Sequence, residues 1–144
     1  MFAIEAEIRI NHPLEDVFNF VADSRNDPQW AVPVLECTQI AGDGPGLGAQ
    51  YTFASKVAWG KVHGQMEVVI YEPPQRIEWE MQSSVNSTRA RIDFKSEAGA
   101  TLLSARSTLK ARGLFRLTES MMEKEIDKAY RQQFQNLKEL LEAQ

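Results

Sequence analysis

From Gln50 to Lys110 the chain alternates inward-type and charged or polar residues through five runs, and the alternation keeps its phase across every intervening turn. Tyr51, Phe53, Ser55 and Val57 share one parity, followed by Val62, Gly64, Met66, Val68 and Ile70. Ile77, Trp79, Met81 and Ser83 come next, then Thr88, Ala90, Ile92 and Phe94, then Leu103, Ala105, Ser107 and Leu109. A period of two is that of a half-buried strand. The breaks fall at Ala58 to Lys61, at Glu72 to Gln75 with its two prolines, near Ser84-Val85, and at Glu97 to Ala100. Folding each run back on the last pairs Val57 with Val62, Ile70 with Ile77, Met81 with Thr88 and Phe94 with Leu103. Each pairing sets inward residues against inward residues, so one register serves the whole meander. The other face collects Lys61, His63, Gln65, Glu67, Glu78, Glu80, Arg89, Arg91, Asp93, Arg106 and Lys110. There Glu78 and Glu80 can sit across from Arg89 and Arg91.

The flanking segments complete the pattern. Phe2 to Ile10 alternates as a strand, and Asn11-His12-Pro13 reads as a helix start before the apolar face Leu14, Val17, Phe18 and Val21. Asp23 to Pro28 breaks that helix, and Trp30 follows in a second short helical turn. Val34 to Ile40 is a strand whose apolar residues share no parity, so the facing of Glu36 and Cys37 stays open. From Leu114 to the C-terminus there is no Pro or Gly, and Met122, Ile126, Ala129, Tyr130, Phe134, Leu137, Leu140 and Leu141 recur by threes and fours. That spacing predicts one amphipathic helix roughly 40 Å long. Seven antiparallel strands, two short helices after the first and a long terminal helix make an α+β fold. A helix of that length, arriving after so many strands, should lie across a sheet that curves around it. Residues 1–144 are expected to form a single domain.

Several function classes are disfavoured. The net charge is −4 and basic residues never cluster in the sequence, against nucleic acid as main partner. No apolar run approaches a membrane span, and the start Met1-Phe2-Ala3-Ile4-Glu5 lacks a signal peptide's regions, so a cytoplasmic address is expected. The one cysteine, Cys37, has no basic neighbour to activate it and reads as a small buried hydrophobe. His12 and His63 lack partners at metal-ligand spacing. The glycine-rich stretch Gly42 to Gly48 lacks a Lys-Ser/Thr ending and precedes a strand, so it is a turn rather than a phosphate loop. No cofactor and no metal are expected. The sequence does not choose between monomer and dimer.

The stretches Asn11 to Phe18, Asp27-Pro28-Gln29-Trp30, Gly46-Leu47-Gly48, Tyr71 to Ile77 and Asn136 to Glu142, in this order of elements, resemble the START-like, birch-pollen-allergen-like helix-grip superfamily (SRPBCC). Within it the chain is most similar to the polyketide cyclase/dehydrase and lipid-transport families. The resemblance covers essentially the whole chain, and none of its motifs is catalytic. It implies an internal apolar cavity between the sheet and the terminal helix. The mouth would lie where that helix begins, among Trp59, Ser84 to Asn86 and Arg112 to Leu114, with Phe115 beside them.

The inward parity carries Phe53, Met66, Trp79, Met81 and Phe94, with Met121 and Met122 on the facing helix. Thioethers and aromatic rings suit an irregular apolar ligand, and the same residues would serve as plain core. Gly64, Ala90, Ala105 and Ser107 favour open space on that face. Ser55, Ser83, Thr88 and Ser107, with Tyr51 and Tyr130, could orient a polar end or simply bond within the protein. By parity no strand carboxylate points inward, and Glu36 is expected at the surface. The first expectation is binding or transport of an apolar small molecule such as a lipid or polyketide. The site would comprise Tyr51, Phe53, Ser55, Trp59, Met66, Trp79, Met81, Ala90, Phe94, Ser107, Leu114, Phe115, Met121, Met122 and Tyr130. A polyketide cyclase or dehydratase that holds a flexible chain in a productive fold is the alternative, with Tyr51, Tyr130 or a serine relaying protons. A protein-interaction or regulatory module is the third, and would need an apolar surface patch that the outer-face residues do not suggest.

Overall fold

β1 (Phe2–Ile10) leads into α1 (Leu14–Ala22) and a 3₁₀ helix (Ser24–Gln29); the computed structural model describes all of residues 1–144. β2 (Val34–Ala41), β3 (Gln50–Val57), β4 (Gly60–Glu72), β5 (Arg76–Ser83), β6 (Asn86–Glu97) and β7 (Ala100–Ala111) follow. A second 3₁₀ helix (Gly113–Thr118) precedes α2 (Glu119–Glu142). The strands form one antiparallel sheet in the order β1-β7-β6-β5-β4-β3-β2. Hairpins therefore carry the chain across the sheet from β2 to β7, and β1 closes the far edge.

The register confirms the parity reading in most places. Met81 lies opposite Thr88 and Phe94 opposite Leu103, as expected. The β3–β4 turn is tighter than expected, because Val57 pairs with Gly60 rather than with Val62. Gly60 sits at a φ of 141°, which a side chain would resist. A slip of two residues preserves facing, so Ser55 still meets Val62. The β4–β5 hairpin departs more. Val68 opposes Trp79 as predicted, but a bulge between Val68 and Ile70 then puts Tyr71, not Ile70, across from Ile77. The Tyr71 ring reaches the core and packs 5.7 Å from Phe18.

Two register shifts in β2 explain why its apolar residues share no parity. Cys37 lies opposite Phe53 and Gln39 opposite Tyr51 on the concave side, while Glu36 lies opposite Ala54 and is exposed, as expected. On the convex face Arg89 reaches both Glu78 (3.2 Å) and Glu80 (2.8 Å), as the sequence suggested. Arg91 instead turns to Asp93 (2.7 Å), which Arg76 also holds at 2.8 Å. Exposed pairs of this kind contribute about 0–1 kcal/mol each.

α2 begins later than the periodicity predicts, since Gly113–Thr118 is wound as a 3₁₀ helix that swings Phe115 onto Trp59. Its buried residues are Tyr130, Phe134, Leu137 and Leu141, one stripe at spacings of four, three and four. Each such side chain contributes about 1.5–3 kcal/mol by burial. Phe134 packs between Trp30 (5.6 Å) and Tyr130 (5.0 Å), while Phe18 fills the other end against Phe94 (5.1 Å). The helix comes closest to β1 and is pinned there. Lys138 Nζ donates to the Arg9 carbonyl (2.7 Å), and Glu142 accepts the Asn11 N–H (2.7 Å). At its start Glu119 pairs with the N-terminal ammonium and accepts the Ala111 N–H. No helix is long and apolar enough to cross a membrane, and no three His, Cys, Asp or Glu side chains cluster as metal ligands.

Candidate functional site

The meander positions a row of side chains on the concave face, and the fold sorts them by depth. Tyr51, Met66, Trp79, Ala90, Phe94, Ser107 and Tyr130 are buried. Phe53, Met81 and Met122 pack against that cluster but stay half-buried, as does Ser55 on the same parity. These less shielded residues lie toward the β3–β4 turn, the β5–β6 turn and the start of α2. The opposite end, around Phe18, Val68, Ile77 and Leu103, is sealed from solvent.

Four of the expected site residues stand outside that buried row. Trp59, Leu114 and Met121 are exposed, and Phe115 is half-buried with its ring stacked on Trp59 at 5.7 Å and 17°. Helical geometry accounts for Met121: its neighbour Met122 takes the stripe that faces the core, which leaves Met121 turned outward. The turn at Trp59 projects beyond the sheet, so its ring finds only Phe115. The space expected above Gly64 is also taken. A Cβ there would meet Phe53 Cζ at 2.4 Å and the Gln82 carbonyl oxygen at 2.6 Å.

Polar groups on the concave side divide into satisfied and unsatisfied. Ser107 Oγ and Tyr130 Oη share a 3.1 Å hydrogen bond, and burial pushes the Tyr130 phenol up to about 12. Ser83 is spent on its own turn, accepting from the N–H groups of Val85 and Asn86 at 3.2 Å. Thr88 has only a 3.5 Å contact with Asn86 Oδ1. By contrast Tyr51 Oη, Trp79 Nε1, Trp30 Nε1 and Ser24 Oγ are buried with no partner in the chain. Such atoms belong to water or to a ligand. The Tyr51 hydroxyl approaches the backbone N–H of Ser24 without reaching hydrogen-bond geometry, and burial near Asp23 pushes the phenol up to about 12.

That approach leads to a group the strand parity could not reveal. The 3₁₀ helix Ser24–Gln29 packs against β2 and brings Asp23, Arg25 and Asp27 near Cys37 and Tyr51. Asp23 is bound to Arg25 through side chain (2.7 Å) and backbone (3.1 Å), and hydrogen bonding to Arg25 holds its carboxyl below the usual range. The Asp27 carboxyl makes no hydrogen bond or ion pair in the chain, and burial, with the Asp23 charge added, raises it well above the usual range. Asp27 lies among densely packed atoms of the 3₁₀ helix and β2, and its side chain is half-buried. Cys37 is half-buried against the core, and burial pushes its thiol up to about 12, in keeping with an unreactive side chain. Asp27 stands in the Asp-Pro-Gln-Trp run noted in the sequence, where Asp-Pro signalled only a turn.

Two open grooves mark the convex face. One of about 480 Å³ runs among His63, Gln65, Gln82, Ser84 and Arg112. Another of about 320 Å³ lies between Glu36, Thr38, Thr52, Phe53 and His63. The first has no hydrophobic side chain in its wall and the second only Phe53, too little apolar lining for an apolar ligand.

A family model described as polyketide cyclase / dehydrase and lipid transport matches residues 1–142. Among curated proteins none matches the sequence. Solved structures share the fold at low identity. The Zhui aromatase/cyclase from a Streptomyces species has a TM-score of 0.84 at 12% identity, covering 98% of this chain and 93% of that one. A protein from Thermus thermophilus gives 0.81 at 16%, covering 99% and 98%. A START superfamily protein from Mycobacterium smegmatis gives 0.69 at 14%, covering 89% and 93%.

Proposed function

The chain belongs to the polyketide cyclase / dehydrase and lipid transport family, and from that premise we propose that it binds one apolar small molecule between the concave face and α2. The observation that carries this reading is a wall of Phe53, Met66, Trp79, Met81 and Met122 interrupted by buried polar atoms, Tyr51 Oη and Trp79 Nε1, that find no partner in the chain. An apolar body with one oxygenated end satisfies both halves of that surface. At about 25 cal/mol per Å², burying roughly 300 Å² of ligand supplies about 7 kcal/mol before ordering costs, so apolar burial rather than an ion pair is the main source of affinity. Native mass spectrometry and solvent extraction of the purified protein, followed by a thermal-shift panel of fatty acids, terpenoids and aromatic polyketides, test it. A stoichiometric apolar adduct that Met81→Trp abolishes is the expected result. A folded protein that takes up nothing from the panel refutes it.

A second reading, a cyclase or dehydratase, draws on Asp27. Burial favours its protonated form, and the two raised phenols are hydrogen-bond donors rather than bases at neutral pH. Such a site would fold a flexible chain and protonate it, with Asp27 as the acid. Asp27→Asn would then retain ligand binding and lose turnover. Turnover that survives both Asp27→Asn and Tyr51→Phe removes this version.

A further inference from the structure

The apolar side chains left outside the core are gathered at one end of the molecule. Residues three apart eclipse in a 3₁₀ helix, so Leu114 and Leu117, each 84% exposed, stand in one row, and Met121, 66% exposed, extends it into α2. Phe115 leaves that row to stack on Trp59, itself 65% exposed. Two turns far apart in sequence thus form one apolar rim beside the half-buried end of the concave face. A contiguous patch of this kind marks an interaction site.

Charge identifies the partner. Lys56 and Lys61 flank Trp59, and Arg112 and Arg116 flank Leu114 and Phe115; the carboxylate between Leu117 and Met121, Glu119, is paired with the N-terminal ammonium, and Glu123 follows Met121. Yet the chain as a whole has 20 Asp and Glu against 16 Lys and Arg. Cations ringing an aromatic and aliphatic tip suit the headgroup layer of an anionic bilayer, where Trp rests at the interface and Lys and Arg meet phosphates. A second copy of the chain would have to bring its own four cations against these, a repulsive arrangement.

We propose that this rim is a peripheral docking surface for anionic membranes, which sets the end of the concave face against the bilayer. Docking stands on the rim alone; only its use for ligand exchange rests on the binding reading above. Each basic side chain near an anionic surface strengthens partitioning about fivefold. The full chain is sedimented with phosphatidylcholine vesicles and with vesicles also containing phosphatidylglycerol, while tryptophan emission is followed against brominated acyl chains. Trp30 and Trp79 are buried, so quenching reports Trp59. Binding should be at least about tenfold tighter to the anionic vesicles, weaken with salt, and fall about tenfold in Trp59→Ala and in Leu117→Ser, with melting temperatures unchanged. Failure to bind anionic vesicles overturns the proposal, as does binding that both variants retain. A concentration-dependent dimer that Leu117→Ser dissolves also overturns it, because a second copy would then cover the rim. A protein that carries an apolar adduct but ignores vesicles sinks docking alone, and one that docks but carries nothing sinks the binding reading alone.

Discussion

The two interior tyrosines should respond in opposite ways to loss of their hydroxyls. In Tyr130→Phe the 3.1 Å bond to Ser107 disappears, and Ser107 Oγ, on a residue 4% exposed, is left buried without a partner. Orphaning a buried hydroxyl costs about 1–3 kcal/mol. For a chain of this length each kcal/mol lowers the melting temperature by about 3–4 °C, so a fall of roughly 3–12 °C is expected. Tyr51→Phe removes a hydroxyl that bonds nothing in the chain. Its effect on stability should stay below about 1 kcal/mol in either direction. Ligand binding reverses the order: if the Tyr51 hydroxyl meets the guest's oxygenated end, its loss weakens binding about fivefold, while the scaffold role of Tyr130 leaves affinity nearly intact. Both phenols are pushed up to about 12, so neither titrates between neutral pH and about pH 9 and the comparison is free of ionisation. Denaturant melts give the stability arm, and titration calorimetry with any panel ligand gives the affinity arm. Tyr51→Phe falling as far as Tyr130→Phe, with affinity unchanged, would place its hydroxyl in the scaffold and refute the reasoning.

Asp27→Asn should stabilise the protein in a pH-dependent way. Burial raises the folded-state carboxyl above its unfolded value of 3.8. The folded state therefore holds the extra proton between those two pKa values, and stability declines as pH rises through that window. The gain from asparagine should be smallest near about pH 4 and largest at neutral pH and above, read from melts across that range; a gain independent of pH refutes it. Gly64→Ala should cost about 1–3 kcal/mol or more, because the new methyl meets both the Phe53 ring at 2.4 Å and the Gln82 carbonyl oxygen at 2.6 Å. In a double-mutant cycle with Phe53→Ala, read by denaturant melts, the cost of Gly64→Ala should be only partly relieved, since the carbonyl contact remains. Full recovery would show that the backbone can give way.

Strand facing was legible because a period of two repeats through runs long enough to average out exceptions. Met66, Trp79, Ala90, Phe94 and Ser107 all sit on the side that alternation assigns. What defeats such a reading is any residue that breaks the count. The bulge after Val68 exchanges Ile70 for Tyr71, and two shifts in β2 scramble a strand only eight residues long. Neither leaves a glycine or proline as its sign. Asp27 escaped for another reason. It lies on the 3₁₀ helix and not on the meander, so no parity rule applies to it, and its depth comes from β2 folding over that helix. The rim was missed because a helical period cannot distinguish Met121 from Met122 until the partner surface is known. Phe115 and Trp59 are also 56 residues apart in a sequence that offers no hint of their stacking.

The burial of α2 is the feature that links these pieces. Packing alone would be met by the half that carries Tyr130, Phe134, Leu137 and Leu141, since most helical stability in a protein comes from the packed face. The residues from Glu119 to Ala129 bury no side chain fully, and Met122 and Ile126 touch the core from one side only. Yet this half is held in place at its start by Glu119, through the N-terminal ammonium and the Ala111 N–H. A segment fixed at one end, loosely seated along its length and next to exposed Leu117 and Met121 has the low local stability that opening requires. If the concave face takes a guest, this half of α2 and the 3₁₀ helix before it are the elements that can part from the sheet without disturbing the aromatic packing around Phe134. Entry at the other end would have to displace Phe18 from between Tyr71 and Phe94, where no side chain is exposed enough to yield.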